Sequence, residues 1–191
     1  ETDTAFKVRS ITDSTTFASL DPTIGYNKRY TRDDTLRGSL NPDRSCIDIK
    51  HYDLTIQIDP ESKSIKGQNK ITFLATTNAK RIQIDLFRQY ALDSVYLNTL
   101  QQKVERYNDL FYVILDTNLI VGELYNLTIA YVGVPQVAIN PPWEGGFTWE
   151  NDLGEENIGV SCEHLGASAW WPNKDHLSDK PDSMDIRIIA P

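Results

Sequence analysis

Tyr52, Leu54, Ile56 and Ile58 alternate with Asp53, Thr55, Gln57 and Asp59. This period of two fits a β-strand with one buried and one wet face, and no helix satisfies it. Pro60-Glu61-Ser62-Lys63 is turn chemistry, and Ser64 to Ala75 reads as the returning strand of a hairpin, with Gly67 suited to a bulge. Further short strands are predicted at Arg81 to Leu86, Ser94 to Leu97, Gln102 to Arg106, Phe111 to Leu115 and Glu123 to Val132. Asn108-Asp109 and Asp116-Thr117-Asn118 supply turns between them. Met184 to Ala190 restores the alternation and runs to Pro191, which reads as a domain edge. Candidate helices are broken by β-branched residues, Gly or Pro. The expected fold is all-β, an antiparallel sandwich or saddle-like sheet.

Residues 1–43 are rich in Thr, Ser, Asp and Arg with isolated apolar positions and no sustained period, so they read as an extended leader to a β domain at 44–191. Between Val134 and Asp152 the prolines Pro135, Pro141 and Pro142 and the glycines Gly145 and Gly146 predict irregular backbone. Trp143, Phe147 and Trp149 lie in this loop. They are expected either to dock on a further domain or to form a sugar-stacking platform.

The 191 residues carry a formal net charge of -8. Such a balance repels phosphate backbones, and nucleic acid is excluded as an expected partner. No apolar run approaches the roughly 20 residues that span a bilayer. The polar start and the Ser/Thr-rich leader point to export, periplasmic, secreted or at the cell surface, with the cytoplasm as the alternative. Cys46 and Cys162 match no zinc spacing and are expected to be reduced, partly buried thiols. Asn126-Leu127-Thr128 fits a glycosylation sequon inside an apparent strand and is assigned no function.

Three segments in order carry a resemblance. His51 to Pro60 leads into Ile65-Lys66-Gly67; Ile158-Gly159-Val160-Ser161-Cys162-Glu163-His164 is followed by Ala169-Trp170-Trp171-Pro172-Asn173-Lys174-Asp175; Lys180-Pro181-Asp182-Ser183 opens the closing strand. Together they resemble the amino-terminal domain of zinc aminopeptidases of the aminopeptidase N type, the family that also holds leukotriene A hydrolase. The Trp170 to Pro181 stretch is similar to its bacterial, exported members.

In that family the catalytic domain follows and supplies an HExxH helix and a downstream glutamate that hold zinc. His51, His164 and His176 are never followed by Glu-x-x-His. The resemblance therefore implies a fragment with no catalytic residue and no metal ligand of its own, inactive alone, with zinc in the parent's catalytic domain. Its implied partners are that domain and the amino terminus of a peptide substrate. Glu163 falls on the family's acidic or amide position facing the substrate's free amine, and Ser161 stands where the family has glutamine, so both are candidate substrate-binding residues. The alternative is a free-standing β-sandwich module for carbohydrate or a protein partner.

Overall fold

The structure, a computed structural model, describes residues 31–152 and 155–191. Most of the proposed leader, residues 1–30, lies outside the described residues.

Eleven strands are described: β1 (Ile47–Asp59), β2 (Ser64–Ala75), β3 (Arg81–Asp85), β4 (Tyr90–Leu97), β5 (Leu100–Gln101), β6 (Lys103–Tyr107), β7 (Leu110–Ile114), β8 (Leu124–Gly133), β9 (Gly146–Asp152), β10 (Glu155–Ser161) and β11 (Ser183–Ile189). They form a six-stranded sheet in the order β11-β1-β2-β8-β4-β5, a three-stranded sheet β3-β7-β6 and the hairpin β9-β10. The fold is all-β, as expected. Among the described strands, neighbours pair antiparallel except β11 with β1, which are parallel.

β1 begins five residues before the predicted strand, and the reason is a bulge. A register shift lies between Ile49 and His51, so the buried side chains change from odd positions, Ile47 and Ile49, to even ones, Tyr52, Leu54 and Ile56. Period-two reading sees one parity at a time. β4 repeats the case: its shift between Leu92 and Ser94 hides the first half of the strand, beginning at Tyr90. Gly67 is not a bulge. It pairs regularly with Ile56, and a Cβ there would stand 2.5 Å from the Tyr131 ring. Glycine is required by that close approach.

The two larger sheets share one core. Leu54, Ile56, Ile71, Phe73, Leu127 and Ile129 of the large sheet join Ile82, Ile84, Phe111 and Val113 of the small one. β3 is buried on both faces, because Gln83 and Asp85 point away from that core toward two short helices, α1 (Arg32–Gly38) and α2 (Pro42–Ser45). These helices occupy part of the predicted extended leader. α1 has acidic Asp33 and Asp34 in its first turn and Arg37 in its last, which suits the helix dipole. α2 is capped by the Asn41 side chain, which accepts from Arg44 N, with Pro42 at its start.

Candidate functional site

The segment after β10 is tied to the sheet by polar side chains that the strands present on their buried faces. Asn69 of β2 donates to Pro172 O at 2.9 Å. Tyr131 of β8 donates to Trp170 O and Tyr90 of β4 to Ala169 O, each at 2.9 Å. Tyr52 of β1 accepts from Lys174 N at 3.2 Å, and its ring meets Trp171 edge-on at 4.9 Å. Asp85 and Asn173 exchange backbone hydrogen bonds. Burial pushes the phenols of Tyr52, Tyr90 and Tyr131 well above their ordinary value, so they stay protonated.

Lys174 is buried. Its Nζ donates to Ile47 O and to the Asp179 carboxylate, which also accepts from Ile49 N at the β1 bulge. Asp182 N then bonds Lys50 O, and the chain enters β11. These contacts lead the segment along β1 and give β11 its parallel direction.

The residues between β10 and this segment form a tight turn. Leu165 N and Gly166 N both donate to Cys162 O, at 3.1 and 3.0 Å. His164 has φ of 65° and Gly166 of 80°. A Cβ at Gly166 would collide with the Asp175 carboxylate, so glycine is required there. Glu163 stands on this turn with its side chain 55% exposed, and its Oε1 lies 3.9 Å from His164 Nε2. Ser161 ends β10 opposite Gly146, and its carbonyl occupies the space that a side chain at residue 145 would need. Glu163 and Ser161 thus flank Cys162 on a backbone that is fixed from both sides.

Sequence reasoning missed two groups that fix this turn. Arg37 Nη2 donates to Leu165 O at 2.8 Å and to Ser168 Oγ at 3.0 Å, while its guanidinium lies 4.9 Å from the centre of the Phe87 ring. Asp175 Oδ2 accepts from Ser168 N and Ser168 Oγ, at 3.1 and 2.7 Å.

The predicted loop aromatics do not form an exposed set. Gly146 to Asp152 is strand β9, and Phe147 is 2% exposed, stacked on Trp149 at 5.5 Å and edge-on to Trp170 at 6.4 Å. The prolines and glycines stop short of Phe147, and the alternation that follows them governs the backbone. Trp143 alone of the three is exposed, at 64%.

Cys46 and Cys162 are free, the first buried and the second half-buried. Burial pushes the Cys46 thiol up to about 11 and also raises that of Cys162. Neither is a poised nucleophile. Among the described residues no group of three or more His, Cys, Asp or Glu side chains could hold a metal ion. His51 and His176 instead bond Ser183 and Ser178. Among the described residues no helix is long and apolar enough to cross a membrane.

No protein-family model matches the sequence, and no curated protein matches it. Solved structures do. The fold is similar to an M1 zinc metallopeptidase from Deinococcus radiodurans, with a TM-score of 0.61 and 24% identity over 76% of this chain and 32% of that one. A variant of an M1 zinc metallopeptidase from the same organism, bound to a Tyr-Ser-Ala substrate, matches with 0.61 and 25% identity over 76% of this chain and 33% of that one. A two-domain M1 zinc metallopeptidase variant bound to L-arginine gives the same four values. This chain spans about a third of the length of the structures it resembles.

Proposed function

We propose that this chain is the amino-terminal, non-catalytic β domain of an exported bacterial zinc aminopeptidase, supporting a catalytic domain and shaping the substrate-amine end of its cleft. The observation that carries the reading is the likeness to M1 zinc metallopeptidases, which takes in 76% of this chain and a third of theirs. The sheet edge supports it as well. Ile186 and Ile188 of β11 pair with Leu54 and Ile56 and so share their core-facing side, yet they remain 54% and 48% exposed. An apolar extension of the core face suits a docked domain.

In this reading zinc, its bound water and the general base belong to the catalytic domain, and this domain contributes recognition. Glu163 offers an exposed carboxylate on a fixed turn, which pairs with a substrate ammonium and selects peptides that carry a free amino terminus. Ser161 replaces a longer amide side chain with a hydroxyl and leaves more room around the substrate's first residue.

The test is the Glu163→Gln variant of the gene's full-length product, assayed on amino-acid anilides. Losing a charged partner costs about 1.5–3 kcal/mol, so kcat/KM should fall about tenfold or more, chiefly through KM. An unchanged kcat/KM would sink the anchor role.

A further inference from the structure

We infer that Arg37 is the positioning residue for Glu163, acting from α1 through the Cys162–Gly166 turn; this rests on the amine-anchor reading above. Arg37 lies at the end of a hydrogen-bonded circuit that starts in the core. Asp85, fully buried, receives Arg44 Nη2 on both carboxylate oxygens at 2.5 and 2.6 Å, Gln83 Nε2 on Oδ1 and Asp175 N on Oδ2. Arg44 Nη1 donates to the backbone carbonyls of Arg37 and Ser39, and Gln83 Nε2 donates to Leu36 O. The end of α1 is thereby fixed to β3.

From that fixed backbone the Arg37 guanidinium reaches Leu165 O and Ser168 Oγ. Ser168 in turn donates to Asp175, whose own N–H returns to Asp85. The circuit closes. A branch from it, the second Arg37 bond, ends on the carbonyl of Leu165, two residues beyond Glu163, and the Asp175 carboxylate of the circuit fills the space that a side chain at Gly166 would take.

The Arg37 bond reaches the Cys162–Gly166 turn from a side chain outside it, whereas the turn's own amides close on Cys162 O. Removing the guanidinium frees the turn to rock while leaving Asp85, Arg44 and the sheets in place. A carboxylate on a rocking turn pays ordering entropy when it meets an ammonium, so the loss falls on substrate binding.

The test is a double-mutant cycle in the full-length product on an amino-acid anilide. Arg37→Ala should raise KM about fivefold to tenfold with kcat nearly unchanged, and the same substitution in a Glu163→Gln background should raise it no further. Arg37→Lys keeps one donor and should recover part of the loss, and it stands in if Arg37→Ala fails to fold. Equal rises in both backgrounds would make Arg37 merely structural and overturn the inference. If Glu163→Gln raises KM and neither Arg37 variant does, the inference fails while the anchor stands. If Glu163→Gln itself has no effect, both fall.

Discussion

Arg44 and Asp85 form an ion pair in the protein interior in which one guanidinium nitrogen, Nη2, is shared by both carboxylate oxygens, with both side chains fully buried. Burial alone raises the Asp85 carboxyl, and Arg44, Gln83 and the Asp175 N–H oppose this by binding the ionised form. Breaking such a pair leaves an uncompensated charge. Arg44→Ala should therefore lower stability by roughly 3–5 kcal/mol in urea unfolding. The double replacement Arg44→Met with Asp85→Leu should recover most of it.

Gly67→Ala places a methyl group against the Tyr131 ring. The expected cost is about 1–3 kcal/mol, read from the denaturant midpoint. Tyr131→Leu should be less harmful in that background than in the wild type.

Phe147→Ala and Trp143→Ala separate the two fates of the loop aromatics. The first removes a buried stacked ring and should cost about 3–5 kcal/mol. The second changes an exposed side chain and should stay within about 0.5 kcal/mol of wild type. Equal costs would contradict the packing described for β9.

Alkaline pH offers a separate check. The Cys46 thiol is raised by burial from 9.0 to about 11, so the folded state holds its proton more tightly than the unfolded state does. This contribution is fully present below pH 9.0, declines as pH rises through the window between 9.0 and about 11, and is then lost. Tyr52, Tyr90 and Tyr131 are raised by burial in the same sense and add to the loss above pH 10. Cys46→Ala should flatten the decline between about pH 9 and 10, measured as unfolding free energy against pH. An undiminished slope would mean the thiol plays no part.

The hairpin β1-β2 and most strand positions were legible because alternation survives wherever one face is buried. The starts of β1 and β4 were not, since each lies beyond a bulge that exchanges the buried parity. β9 was masked by the prolines and glycines just before it. Of the site, the residues alone offered Glu163 no more than a surface carboxylate, and the resemblance supplied its role. Arg37 was out of reach for another reason. Its acceptors lie 128 and 131 positions further along the chain, and a bond to a backbone carbonyl leaves no mark on the identity of the residue that accepts it.

The most direct measurement is release of free amine from a panel of amino-acid anilides by the full-length product and by this 191-residue chain, with and without a zinc chelator. A supporting domain of a zinc aminopeptidase requires activity in the full-length product, its loss to the chelator, and none in the chain alone. Activity in the chain alone, or none in the full-length product, would contradict it.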